Sequence, residues 1–242
     1  MSQVKIQGNA SGTGIFTIVS PSSNTNRTLT LPDASGTFNI SGAATEVPAG
    51  SASTPSIYPT GDTNTGMFFP AADTIAFSEG GAEVARFDSS GRFTVTSQPG
   101  FMAGIAASTD ATVSANSLVP FNTVTATGAF NTGTNFSTGT SLFTAPVAGR
   151  YMFSFTVYLT NSSSSTQLMQ AGIRINGSFV SFTSGDSYGV ASATPNSTGG
   201  SIAVSTSVIL NLAANDTVGV AARTNALRIY QGHCFFSGYL LG

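Results

Sequence analysis

The chain has 242 residues, 40% of them hydrophobic and only 7% charged, for a formal net charge of −2, whereas ordinary soluble domains carry roughly 25% charge. Enough apolar residues remain to predict a folded chain, but there is no basic cluster to release counterions from nucleic acid. Three Glu and the single Lys5 cannot furnish amphipathic helices, and the one cysteine, Cys234, excludes an intrachain disulfide and fits synthesis in a reducing cytosol.

The opening MSQVKIQGNA has no apolar leader, and no apolar run approaches the ~18 residues of a spanning helix, so neither export nor membrane insertion is expected. Four Gly-led aromatic strands follow: GIFTI from 14, GTFNI from 36, GMFFP from 66 and GRFTV from 91. Their spacings of 22, 30 and 25 residues follow no fixed period. Between them lie turn sequences such as SPSSNTNR, LPDASG and DSSGR. Short strands in so much turn chemistry bury little core alone, which predicts a segment that winds with identical copies, most simply as a homotrimer.

The Pro-Gly turn in SQPG at 97–100 sets a predicted boundary between an N-terminal β-rich segment, 1–100, and a second domain, 101–242. Charge divides there too, with four cations against seven acids before it and four against three after it. Beyond the boundary the strands are longer: LVPFNTVTA, SLFTAPVAGRYMFSFTVYLT, LMQAGIRINGSFVSF, GSIAVSTSVILNLAANDTVGVAA and LRIYQGHCFFSGYLLG. Tyr151, Phe153, Phe155 and Val157 alternate with Met152, Ser154 and Thr156, a period of two that gives each strand one buried face. The INGS at 175–178 predicts a type I′ hairpin. The expected fold is all-β, a β-sandwich or jelly roll.

FTAPVAGRYMFSFTVYL, AGIRINGSFV, GGSIAVSTSVILNLAANDTVGVAA and the closing FFSGYLLG resemble, in that order, the C1q/TNF-like globular domain over 101–242. The resemblance implies a ten-stranded jelly roll that assembles as a homotrimer, with the last strand inside a sheet near the threefold axis. It places Tyr151, Phe153, Phe155, Phe235, Phe236, Tyr239 and Leu241 in the core or the trimer interface. No collagen-like Gly-X-Y leader precedes the domain, and its charge is low. In the first part, GNASGTGIFTIVSPSSNTNRTLTLPDASGTF at 8–38 and GDTNTGMFFPAADTIAFSEGGAEVARFDSSGRFTV at 61–95 resemble segments of bacteriophage tail-fibre and structural proteins, especially those of cyanophages.

These resemblances imply a non-enzymatic phage fibre protein, made in the host cytoplasm and carried on the virion as a tail or capsid fibre. Its N-terminal part would be a shaft that docks on other virion proteins, and its jelly roll would bind a glycan or protein of the host surface. Among candidate binding residues the longest loops matter most, TNSSSSTQ at 160–167 and TSGDSYGVASATPNSTGG at 183–200. They offer Tyr188, whose amphipathic ring stacks at low entropic cost, together with Asp186 and Asn196. No catalytic residue is expected: Asp110, Asp186 and Asp216 are far apart in sequence, whereas glycan hydrolysis needs a facing pair. PTGDTNTG at 59–66 lacks the carboxylate density of a calcium loop, so no metal or cofactor is expected. His233 and Cys234, as strand neighbours, should face opposite ways, leaving Cys234 a structural thiol. The rival readings are a structural decoration or collar protein of the capsid or tail and, less favoured, a glycan depolymerase.

Overall fold

The structure is a computed structural model that describes residues 11–15, 17, 19, 22–26, 28, 46–106, 111–125, 127–160, 168–181, 188–194, 201–223 and 227–242. The chain forms two units, Met1–Glu46 and Val47–Gly242. In the first, Ile15 and Val19 are exposed, and the GTFNI segment lies outside the described residues.

The second unit begins with a four-stranded antiparallel sheet of β1 (Gly66–Phe68), β2 (Ile75–Glu79), β3 (Ala82–Phe87) and β4 (Phe93–Val95), in that spatial order. Asp88 shapes the β3–β4 turn, its carboxylate accepting the backbone N–H groups of Ser90 at 2.9 Å and Arg92 at 3.0 Å. One face of this sheet, with Phe68, Ala76 and Ser78, is buried. The other face lines up Ile75, Phe87 and Phe93 in one row and Phe77, Ala85 and Val95 in the next.

From Gly100 onward two larger sheets form a sandwich. The first, seven-stranded, contains β5 (Gly100–Gly104), β6 (Ala111–Val113), β7 (Phe130–Thr132), β10 (Gly149–Thr160), β14 (Ser201–Leu212), β16 (Leu227–Ile229) and β17 (Phe235–Leu240). The second, six-stranded, contains β8 (Phe136–Ser137), β9 (Leu142–Thr144), β11 (Met169–Ile175), β12 (Ser178–Phe179), β13 (Val190–Ala193) and β15 (Thr217–Ala222). One turn of 3-10 helix, Gln231–His233, is the only helix among the described residues.

The strand count hides a simpler plan. β14 occupies one side of β10 from end to end, so β17 and β16 must lie in line on its other side, interrupted by the 3-10 turn. β5 and β6 continue that arrangement on the next track, with β7 outermost. In the second sheet β13 and β12 share the free side of β11, followed by β15, β9 and β8. Each sheet thus has five tracks, the jelly roll that the sequence implies.

Alternation places the core. Tyr151, Phe153, Phe155, Val157 and Leu159 of β10 are all fully buried. Their rings interlock with those of both sheets: Phe101 stacks on Phe136 with centroids 4.5 Å apart and on Phe143 at 5.2 Å, and meets Phe236 edge-on at 4.9 Å. Each such aromatic contributes about 1.5–3 kcal/mol by burial. Gly238 makes this arrangement possible, because a Cβ there would lie 2.5 Å from Phe153 and 2.8 Å from Phe101. The β11–β12 hairpin turns through Asn176 (φ 48°) and Gly177 (φ 82°), as the Asn-Gly pair predicts.

Candidate assembly and binding surfaces

The face of the seven-stranded sheet turned away from the core is built by the residues that alternate with the buried ones. Its first row runs Ile209, Met152, Tyr239, Gly100 and Thr132 across β14, β10, β17, β5 and β7. The next runs Ser207, Ser154, Ser237, Met102 and Phe130, and the third Ser205, Thr156, Phe235 and Gly104. None of these side chains is charged, but the row beyond them, Asn211, Arg150 and Leu241, sets the exposed Arg150 beside Ile209 at the end of the face. Ile209 is 61% exposed, Leu241 51%, Tyr239 47% and Met152 42%, a contiguous apolar belt at one end of the sheet. A shallow depression of about 310 Å³ lies among Met102, Phe130, Met152, Tyr239 and Leu241.

The middle of the face is a ladder of hydroxyls that satisfy one another: Ser207 donates to Ser154 at 2.9 Å, and Thr156 and Ser205 lie 2.7 Å apart. At the far end an aromatic cluster takes over. Tyr158 meets Tyr230 with ring centroids at 6.0 Å and His233 at 5.3 Å, and His233 stacks on Tyr230 at 5.3 Å. His233 is exposed and Cys234 buried, but the two are not strand neighbours as expected: His233 ends the 3-10 turn and Cys234 follows it as the extended residue before β17. The Cys234 sulfur accepts the Tyr158 N–H at 3.3 Å and lies 3.4 Å from the Tyr230 carbonyl oxygen. Burial pushes its thiol pKa up, so it is a poor nucleophile.

The two ends of the sheet differ in what enters them. Gly100 pairs with Tyr239 and Gly149 with Leu212 at the apolar end, where the Leu240 N–H donates to Pro99 O at 3.0 Å and Gln98 Nε2 donates to Leu240 O at 2.7 Å. Thr160 pairs with Ser201 at the opposite end, about 36 Å away at strand rise. The residues that bound the 161–167 and 195–200 loops therefore sit at the end remote from the N-terminal sheet.

The family model for the C1q domain matches residues 100–241. The chain belongs to the C1q domain family. C1q domains are typically non-enzymatic binding or structural modules that form trimers. Among solved structures, the chain is similar to the globular domain of zebrafish complement 1qA protein, at 19% identity over 60% of this chain and 98% of that one, with a TM-score of 0.44. It is also similar to the Eiger TNF from S. frugiperda, at 11% identity over 60% and 93% of the two chains, with a TM-score of 0.45. A search of curated proteins gives no match.

Within the C1q domain, the candidate residues fall into three groups. Tyr151, Phe153, Phe155 and Phe236 are wholly buried, and Phe235, Tyr239 and Leu241 belong to the outer face. Tyr188 stands at the root of its loop, half-buried against the core, with its N–H donating to Val180 O at 3.1 Å. Asp186 and Asn196 lie outside the described residues, as does Asp110.

Asp216 is a structural group. Its carboxylate accepts Asn176 Nδ2 and the Ala213 N–H, each at 2.8 Å, and these bonds hold its pKa below the usual value, with Asn176 the larger cause. It thereby fastens the β11–β12 hairpin to the β14–β15 turn. Among the described residues no group of three or more His, Cys, Asp or Glu converges. Sequence reasoning missed the division of the outer face into apolar, hydroxyl and aromatic zones. The signal is present in Met152, Ser154, Thr156 and Tyr158, but reading it requires the β14 and β17 registers.

Proposed function

We propose that this protein is a non-enzymatic, homotrimeric fibre protein of a bacteriophage virion. Its N-terminal part attaches to other virion proteins, and its C1q domain binds a glycan or protein on the host surface. The observation that carries this reading is the polarity of the jelly roll: the N-terminal chain enters at one end, and the residues bounding the 161–167 and 195–200 loops stand at the other. That arrangement suits a module held at its base and presenting loops at its tip. The resemblance of 8–38 and 61–95 to phage fibre segments supports the virion as its location.

The apolar belt of Ile209, Met152, Tyr239 and Leu241, edged by Arg150, supports the trimer. An apolar patch of this kind is a liability on a monomer and a contact in an assembly, and three copies sharing an axis through these faces would cover it. Trimerisation also multiplies weak loop contacts, since linked sites gain avidity without new interactions. Asp186, Tyr188 and Asn196 remain the proposed receptor-contacting residues, Asn196 in the 195–200 loop and Tyr188 lower on the side of the six-stranded sheet, beside Val180 and Ile173.

The test is the mass of the full chain by light scattering, followed by adsorption of the same material to intact candidate host cells. A trimer that adsorbs, and a Tyr188→Ala or Asn196→Ala trimer that adsorbs less, supports the reading. A trimer that adsorbs to no host cell and is found with its loops against other virion proteins would assign a structural decoration role instead.

A further inference from the structure

The four-stranded sheet ahead of the C1q domain has an apolar face that no described residue of the unit covers. Met67, Ile75, Phe77, Phe87, Phe93 and Val95 share it. Phe93 is 56% exposed, Phe87 43%, Ile75 41% and Val95 36%, and the Phe87 and Phe93 rings lie together at 4.9 Å. A sheet of three- to six-residue strands with its larger apolar surface in water is marginal alone.

Three observations identify its occupant. First, the two rows Ile75–Phe87–Phe93 and Phe77–Ala85–Val95 carry no charge, and the carboxylate on this face, Glu79, stands beyond them at the end of β2. The charged groups of the β3–β4 hairpin are paired elsewhere: Arg86 binds Glu83 at 2.5 Å from the opposite face, and Arg92 binds Asp88 at 2.7 Å in the turn. A partner surface that meets these two rows need therefore offer no counter-charge to them. Second, only Thr96–Pro99 separate β4 from β5, a reach of at most ~14 Å. Third, that link is pinned to β17 by the Pro99 and Gln98 bonds, beside the Tyr239, Met152 and Ile209 belt. If three copies join through that belt, three copies of this sheet emerge beside one another, each needing an apolar cover.

We propose that the partner is a second copy of this chain: the β1–β4 sheets of the assembly pack through their Ile75–Phe87–Phe93 faces, forming a three-sided prism below the jelly rolls. This rests on the trimer reading above and adds a second contact to it. The prism rigidifies the junction between shaft and C1q domain, so that the orientation of the loops follows that of the shaft.

Cross-linking in the full chain tests it. Val95→Cys places a thiol on the apolar face, and Thr94→Cys places one on the opposite face of the same strand; Cys234 is buried and serves as the background. A short bis-maleimide should join copies of the Val95→Cys chain in several-fold higher yield than copies of the Thr94→Cys chain, with both proteins retaining a trimer's mass by light scattering. Equal yields, or no cross-link at position 95 in a protein of trimeric mass, overturn the prism and leave the trimer standing. A position-95 thiol that neither cross-links nor reacts with a small maleimide would put the chain's own residues 1–45 on the face, again overturning it. A monomeric mass for the unsubstituted chain overturns the trimer and the prism together.

Discussion

The C1q domain and the small sheet before it are both antiparallel β structures, yet they solve burial differently. In the jelly roll each sheet covers the other, and aromatics from β5, β8, β9, β10 and β17 close a continuous core. In the β1–β4 sheet one face, with Phe68 and Ala76, is buried, while the apolar rows of the other are left open; the preceding chain pairs along the β1 edge, where the Phe69 N–H donates to Ala49 O at 2.7 Å. The first region has a complete core as a single chain. In the second the proposed prism supplies the cover, so the chain's stability should be local in one region and shared in the other.

The sharpest way to separate them is to remove a ring from each. Phe236 is fully buried among Phe101, Phe121, Phe136 and Phe153, so Phe236→Ala should cost about 3–5 kcal/mol. The loss should appear in urea unfolding at any protein concentration. Phe93→Ala, on the open face, should destabilise the assembled chain in a concentration-dependent way. If dilution alters both variants alike, the contrast between a self-sufficient and a shared region is wrong.

A smaller effect belongs to the closing FFSGYLLG. Gly238→Ala adds one methyl against Phe153 and Phe101, and overpacking of this kind costs about 1–3 kcal/mol. The thermal midpoint of the C1q domain should fall while the Phe87 and Phe93 environment is unchanged, as fluorine-labelled phenylalanine spectra would report. An unaltered midpoint would mean that the core yields at this point more easily than its ring contacts imply.

Much of this architecture is legible in the amino-acid order alone. The alternation from Tyr151 to Val157, the Asn-Gly hairpin and the apolar terminus need only period-two arithmetic and turn chemistry. The role of Gly238 is not legible there, because the rings it admits come from β10 and β5, far away in sequence. Tyr188 reads as a loop aromatic, since its neighbours are Ser, Gly and Asp. Its packing against the core, next to the backbone bond to Val180, is a tertiary contact that composition does not encode. The echoes GMFFP and GRFTV are visible as strands, but that Met67 and Phe93 share an open face with Ile75 while Phe68 turns to the buried one follows from the β1–β4 registers alone.

On the outer face of the jelly roll the expected change is in assembly more than in folding. Ile209 is the most exposed residue of the belt, so Ile209→Asp should leave the C1q domain folded, with its stability lowered only through the loss of assembly. Three carboxylates brought to one axis, however, would turn the trimer into monomers by light scattering. A trimer that survives this substitution would move the assembly contact off this face and weaken the comparison at its root.

The finest discrimination comes from acid. Asp216 has its pKa lowered from the ordinary 3.8 by the Asn176 and Ala213 bonds, and Glu83 from 4.5 chiefly by the bond to Arg86. A carboxylate held lower in the folded state stabilises above its unfolded value, and that contribution is lost as pH falls through the folded one. Both regions should therefore weaken on acidification below about pH 4, each through its own group. Asp216→Asn should flatten the acid limb of the jelly roll's stability curve and leave that of the small sheet, and Glu83→Gln should do the reverse. Hydrogen exchange at β11 and β15 against β2 and β3, measured from neutral pH downward, reads the two limbs separately. If either substitution flattens both, the regions unfold as one, and the link at Thr96–Pro99 couples them as firmly as a shared core.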